Sequence, residues 1–411
     1  MQKMVVPPKS GSGEHPSGAQ IEIDSDALWE DIVATHYVAD LRAHVRDHIA
    51  PDAEMLDRED IYPTEIVRGL ARAGYGTAAT EAAYGGAGLD YTHATVVCEE
   101  VAVASAATAI SLITNFQAQT MLRLFGDESV KQTYLPQFAD GLIASYALTE
   151  ANHGSDIRSL DTKARKSGDD WIITGEKHFI TSASAADFFI TLAETDQGVS
   201  VFAIPRNAPG VSIYEGENSA TFGLRNGPHM NVVYDEIRLP ADHLIGAEGK
   251  GVMQAATVLN HSRTLAGAIS IGIARAAYEG ALAFARDRKA FDQRVLQFQG
   301  IQWYFADMLT EIDAARLLIY RAARALDEGR QVIRWGSEAK LKAGMTATSV
   351  ASQAAQICGA YGIMENAPFG RYLRYAKAYE VAGGSNEILK NTIAKFILPV
   401  SGLPTNRKFD R

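Results

Sequence analysis

Apolar residues recur at intervals of three and four over residues 26–140, with Leu28, Ile32, Val33, Tyr37 and Leu41 on one face of a first helix. Pro51 and Pro63 punctuate the helices that follow. Residues 94–113 are apolar and rich in alanine, which predicts one buried helix. Phe125-Gly126-Asp127 reads as a break, followed by a short helix ending near Gly141. Between Ile143 and Leu239 the pattern changes to short β-branched and aromatic runs: WIITGEKHFIT, FFITLAET, VSVFAIP, VSIYEG and MNVVYDEIRLP. Gly, Asn, Asp and Pro separate them, with Gly168-Asp169-Asp170 at one turn, as in antiparallel strands joined by tight turns. From Gly251 the helical period returns in four segments, 252–286, 299–329, 334–361 and 385–397, whose alanine-rich stripes suit a bundle. The expected order is a leader over 1–25, a helical domain over 26–142, a β domain over 143–250 and a helical domain over 251–411. No internal repeat is visible.

Composition narrows the function without fixing it. A chain of 411 residues is long enough for two or three packed units. A net charge of -10 with no long basic run argues against nucleic acid as a partner. No apolar run approaches a membrane span, and the Pro-, Gly- and Ser-rich start lacks the apolar core of a signal peptide. Cys98 and Cys358 stand far apart, which suits reduced cytoplasmic thiols. The histidines show no metal-ligand spacing, and no G-x-G-x-x-G follows a strand. A zinc enzyme and a nicotinamide Rossmann enzyme are therefore not expected.

The densest chemistry lies between Tyr146 and Thr181. YALTEANHGSD supplies hydroxyls at Tyr146, Thr149 and Ser155, a small residue at Gly154 and a run of amides; GEKHFIT supplies Phe179 and Thr181. Two residues apart on a strand, those last two are expected on one face. Amides and hydroxyls around a rim with an aromatic over a face suit a flat heterocycle. The same spacing also suits a plain antiparallel strand pair turning at Asn152-His153-Gly154.

Both halves resemble the flavin-binding signature of the acyl-CoA dehydrogenase family, roughly Y-x-x-T-E-P-x-x-G-S-D and K-x-[WF]-I-T, with Ala151 in place of the proline. The resemblance runs from about Leu28 to Leu398. It implies an α+β fold with an N-terminal helical domain, a middle antiparallel β domain and a C-terminal four-helix bundle, and FAD as cofactor. Tyr146, Leu148, Thr149, Gly154 and Ser155 would line the isoalloxazine edge, Phe179 would cover the ring, and Thr181 would stand near N5. Arg288 and Phe291 of DRKAF would reach the FAD of a neighbouring subunit, with Gln299 beside them. Gln356, Gly359 and Ala360 of QICGAYG would follow the adenosine and pyrophosphate, and Ser385 and Glu387 of GGSNEI would close on the pyrophosphate at a helix start. Taken alone, Ser385 reads as an N-cap. A homotetramer or homodimer is implied by the shared FAD site.

The resemblance further implies that Arg263 and Asn260 (Asp in many relatives) hold a pantetheine together with Ser155. Coenzyme A and an acyl carrier protein both present that group. Proton removal from Cα needs a base close by. The family's usual Glu aligns with Gly383, followed by Gly384, and the minority position aligns with Ser262, so neither site holds a carboxylate. Glu380 and His261 are the substitutes in reach; Glu150 and His153 read as structural and surface residues. Three readings remain open: α,β-oxidation of an acyl thioester with a relocated base and an electron-transfer flavoprotein as acceptor, a flavin-dependent oxygenase or oxidase using O2 on a thioester or ring substrate, and a flavin-binding scaffold without catalysis.

Overall fold

The computed structural model describes residues 32–216, 221–225 and 229–397. Leu28 and the 1–25 leader lie outside them. Among the described residues six α-helices come first: α1 (Thr35–His48), α2 (Ala53–Glu59), α3 (Thr64–Arg72), α4 (Tyr91–Ala104), α5 (Ala106–Phe125) and α6 (Glu128–Ala139). The single helix expected over 94–113 is two. Ser105 ends α4 in an extended conformation, and its side chain caps α5 by accepting from the Thr108 amide.

Seven strands follow: β1 (Ala144–Ala147), β2 (Lys163–Ser167), β3 (Asp170–Thr181), β4 (Phe188–Thr195), β5 (Gly198–Pro205), β6 (Val211–Tyr214) and β7 (His229–Pro240). They form one sheet, β1-β4-β2-β3-β7-β6, with β5 also paired to β4. It is not wholly antiparallel: β1 and β2 each run parallel to β4. A four-residue strand buried at every position has no alternation to announce its partner.

The C-terminal helices are α7 (Gly251–Asp287), α8 (Gln299–Asp327), α9 (Ile333–Cys358), α10 (Phe369–Val381) and α11 (Asn386–Ala394), with a small β8–β9 hairpin (Lys289–Ala290, Gln293–Arg294) between α7 and α8. The sequence reading lacks α10. Pro368 and Gly370 mask its start, yet Tyr372, Tyr375, Ala376 and Tyr379 carry the helical spacing, and the last three are buried. α7 is long and apolar enough to cross a bilayer, but 78% of its most apolar window is buried inside the fold. Small residues permit its close packing: a Cβ at Gly272 would sit 2.4 Å from the Glu99 carbonyl oxygen.

An ionic cluster ties the two helical regions together. On α4, Glu99 accepts from Arg275 of α7 at 2.9 Å and from Arg316 of α8 at 2.6 Å, and Glu100 accepts from Arg275 at 2.8 Å and Arg42 of α1 at 3.1 Å. Burial would raise the Glu100 carboxyl, but Arg275 and Arg42 outweigh it and hold the group at about 2 instead of 4.5. A depressed folded-state pKa gives stability that is present above 4.5 and lost as the pH falls toward 2. We therefore expect Glu100 to contribute about 3 kcal/mol at neutral pH. In urea unfolding from pH 6 downward, the gap between the native chain and Glu100→Gln should close as the pH drops through that window. A constant gap would contradict the linkage.

Candidate active site

The stretch after β1 is held by one buried ion pair. Lys177 on β3 donates from Nζ to Glu150 Oε1 at 2.7 Å and to the Leu148 carbonyl at 3.2 Å. Glu150 also accepts from the backbone amides of Asp161 at 2.5 Å and Thr162 at 3.0 Å. Burial pushes the Lys177 ammonium down to about 8, and for Glu150 the pull of Lys177 outweighs burial and lowers the carboxyl. Glu150 is thus an anchor. Its amide and carbonyl pair with those of His153, so the turn closes over Ala151 and Asn152, one place earlier than the sequence suggested. His153 lies 3.4 Å from Asp161. Beyond this turn Gly154 and Ser155 are exposed, Leu148 and Thr149 are half-buried, and Tyr146 is buried with its hydroxyl unpartnered.

Phe179 faces outward and Thr181 is half-buried, but strand alternation is not the cause. The β3–β7 register slips between Lys177 and Ile180, and Phe179 takes a left-handed φ of 58°. Lys177 is therefore buried while Phe179, two residues on, is 59% exposed. An aromatic held in that conformation is strained and must be imposed by its surroundings. Thr181 Oγ1 lies 2.9 Å from Nδ1 of His229, its cross-strand partner on β7. Burial pulls the His229 imidazole down to about 4, so it is neutral near pH 7. The sequence reading did not single out His229, because nothing local joins positions 48 residues apart.

Helix α5 brings this wall to the start of α7. Thr114 Oγ1 lies 3.1 Å from Ser182 Oγ, next to Thr181, and one helical turn later Gln117 donates to Ser262 Oγ at 3.1 Å. Thr114 and Gln117 are about 4.5 Å apart along the axis, so adjacent positions of α5 hold the end of β3 and Ser262 of α7. Ser262 is buried and donates to its own helix at Leu259 O, 3.2 Å, and no His or carboxylate among the described residues bonds to it. His261 bonds the Thr257 carbonyl through Nδ1 at 2.9 Å and packs against the Tyr91 ring at 5.4 Å. Two helical residues apart means opposite faces, so His261 turns toward α4 while Arg263 turns toward α9. Arg263 donates to Asn260 Oδ1 at 2.7 Å and Ser337 Oγ at 3.1 Å.

The opposite wall is the α10–α11 turn. Gly383 and Gly384 both have positive φ, 70° and 102°. A Cβ at Gly383 would find only Ala266 Cβ, at 4.0 Å; one at Gly384 would lie 3.9 Å from Arg263 Nη2. Lys340, buried on α9, donates to the carbonyls of Gly384 at 2.8 Å and Glu380 at 3.4 Å, fixing this turn. The Glu380 carboxylate accepts from Lys377 and Asn386, each at 3.1 Å, an arrangement that ties α10 to α11. Ser385 caps α11 by accepting from the Ile388 amide at 3.4 Å, and Glu387 is exposed in its first turn.

The remaining residues sit elsewhere. Arg288 follows the last turn of α7, about 38 Å along the axis from Arg263. Phe291 is 91% exposed, and Gln299, Gln356, Gly359 and Ala360 are exposed. Arg288 lies over the Tyr361 ring at 5.7 Å, which joins the end of α7 to the end of α9. The structure thus gathers the candidates into two groups, one around Thr181, Arg263 and Gly383 and one around Arg288.

Comparison with known proteins agrees with this architecture. Residues 35–142 match the N-terminal domain of acyl-CoA dehydrogenase, 145–237 the middle domain and 249–398 the C-terminal domain. The chain belongs to the acyl-CoA dehydrogenase family and is an oxidoreductase of that family. It is similar to a probable acyl-CoA dehydrogenase of Mycobacterium leprae, 34% identical over 88% of this chain and 94% of the relative. Among solved structures it is similar to a glutaryl-CoA dehydrogenase of Mycobacterium smegmatis in complex with FADH2, with a TM-score of 0.86 and 26% identity over 91% of this chain and 96% of that one. It is also similar to a prolyl acyl carrier protein oxidase, with a TM-score of 0.84 and 26% identity over 90% of this chain and 98% of that one.

Proposed function

We infer that this chain is an FAD-dependent oxidoreductase acting on an acyl thioester of coenzyme A or an acyl carrier protein, oxidising it at Cα–Cβ without a carboxylate base. The observation that supports the reading is the α5 clamp, in which Thr114 meets Ser182, next to Thr181, and Gln117 meets Ser262, next to Arg263. The residues suit a flavin: an exposed aromatic, a positioned hydroxyl at Thr181 and the solvent-facing stretch from Ala151 to Ser155. When bound, FAD supplies a two-electron acceptor. Phe179 would cover its face, Thr181 would donate to its edge, and Arg263 with Asn260 would hold the pantetheine. His229, neutral and bonded to the Thr181 hydroxyl, would orient that hydroxyl toward the edge.

The Arg288 group is too far along α7 to serve the same chain's wall. Its exposure supports a second copy completing the FAD site in a homodimer or homotetramer, with an electron-transfer flavoprotein as acceptor. A second reading, an oxygenase or oxidase using O2, is favoured by one observation: Gly383 and Ser262 bear no carboxylate and Glu380 is turned to Lys377.

Anaerobic mixing of the FAD-loaded chain with aliphatic and aromatic CoA esters separates the two readings. Bleaching of the flavin by one ester is the result expected. No bleaching, with oxygen uptake once a reductant is supplied, would replace the first reading by the second.

A further inference from the structure

Thr181 is held more firmly than the end of a strand requires. Two residues close to it take left-handed backbone angles, Phe179 with φ of 58° and Ser182 with φ of 66°. Such angles are costly for residues with a side chain and persist where the surroundings impose them. Hydroxyls from three parts of the chain do so here. Ser182 Oγ accepts from Tyr62 at 2.9 Å and meets Thr114 of α5 at 3.1 Å, and the Thr181 carbonyl accepts from Ser145 of β1 at 2.8 Å. Tyr62 lies just ahead of α3, so the N-terminal helical region and the sheet grip the same turn.

The Thr181 side chain itself is met by His229, directly opposite on β7, with Nδ1 at 2.9 Å from Oγ1. Burial keeps the imidazole neutral near pH 7, and a neutral imidazole has one N–H and one bare nitrogen. A threonine hydroxyl has one proton and two lone pairs. The bond between them can run either way, and its direction decides what Thr181 shows to a ligand. A bare Nδ1 would take the hydroxyl proton and leave only lone pairs outward. A protonated Nδ1 would donate to Oγ1 and leave the hydroxyl proton for another partner. If Thr181 spends its one proton on the flavin edge, Oγ1 can only accept from β7, and the imidazole proton sits on Nδ1.

The direction has a redox consequence. Flavin N5 is a bare acceptor in the oxidised ring and carries a proton in the fully reduced one. A hydroxyl pinned as a donor suits the first form and opposes the second. We propose that His229 is a positioning residue that donates from Nδ1 to Thr181, pins the Thr181 hydroxyl as a donor toward the flavin edge, and so lowers the reduction potential of bound FAD. The assignment rests on the flavin reading above and adds to it the residue that sets the electron affinity of the site.

The test is the midpoint potential of the FAD-loaded chain, read from the flavin spectrum against a reference dye near neutral pH. His229→Leu removes the donor and keeps an apolar bulk in its place. The reduced form should then gain about tenfold on the oxidised one, a rise of about 30 mV for a two-electron couple. His229→Ala, which asks less of the packing, should show the same rise and guards against a folding defect in the first variant. His229→Asn sets an N–H the same number of bonds from the backbone as Nδ1 and should return most of the way to the native value. In a Thr181→Val chain no hydroxyl remains to be pinned, so adding His229→Leu should leave the potential where Thr181→Val alone puts it. An unchanged or lowered potential in the Leu and Ala chains would overturn the proposal and leave the flavin reading standing. An equal rise in the Thr181→Val background would also overturn it, because His229 would then act by a route that bypasses Thr181. A native chain that takes up no FAD would remove the flavin reading and the proposal together.

Discussion

Lys177→Met is expected to cost the protein about 3–5 kcal/mol and most of its capacity to retain FAD. The substitution keeps the length of the side chain but removes the ammonium that meets Glu150, and both residues are almost wholly inaccessible. Glu150 would then be a buried carboxylate facing two backbone amides, or would take up a proton and lose the charge that holds them. The Leu148 carbonyl would lose its donor as well. These are the tethers of the segment that carries Thr149, Gly154 and Ser155, so loss of stability and loss of flavin should appear together. Urea unfolding gives the first, and the ratio of flavin to protein absorbance after gel filtration gives the second. The double change Glu150→Leu with Lys177→Met should recover much of the stability, because removing both members of a buried pair is far cheaper than removing one. A single variant as stable as the native chain would show that the pair is dispensable. A single variant that is destabilised but retains FAD fully would separate the anchor from the wall.

How much of this was visible in the residues alone depends on how local the cause is. The five long strand runs and the helical stripes were legible because burial imprints a period of two or of about 3.6 on the sequence. Ser105 was harder: AVASAATAI keeps its apolar, helix-forming character through the break, and only a capping side chain marks it. Helix α10 hid behind Pro368 and Gly370 although its tyrosine spacing was present. The outward turn of Phe179 comes from a register slip and a left-handed φ, which strand alternation in the sequence does not encode. The candidate site was half legible. Its motifs name the wall and Arg263, but His229 reaches Thr181 across 48 positions and Lys340 reaches Gly384 across 44. Such pairings exist only once the sheet and the bundle have closed.

The absent carboxylate can be put back, and the result bears on why it is absent. Gly383→Glu is expected to speed anaerobic flavin bleaching by neutral acyl-CoA esters roughly 10²–10⁴-fold, the usual contribution of a positioned base. It should also cost about 1–2 kcal/mol, because φ at this position is 70°, where a side chain is strained. The space itself is no obstacle, since the nearest atom to the new Cβ would be Ala266 Cβ at 4.0 Å. Gly383→Gln is the control, with the same bulk and the same backbone strain but no charge and no basicity. It should lose stability equally and gain no rate. If Glu and Gln behave alike, the space over Gly383 is not where Cα of the substrate lies. If only Glu gains rate, the space over Gly383 is where Cα of the substrate lies, and the glycine there is what leaves the native chain without a carboxylate base at that place.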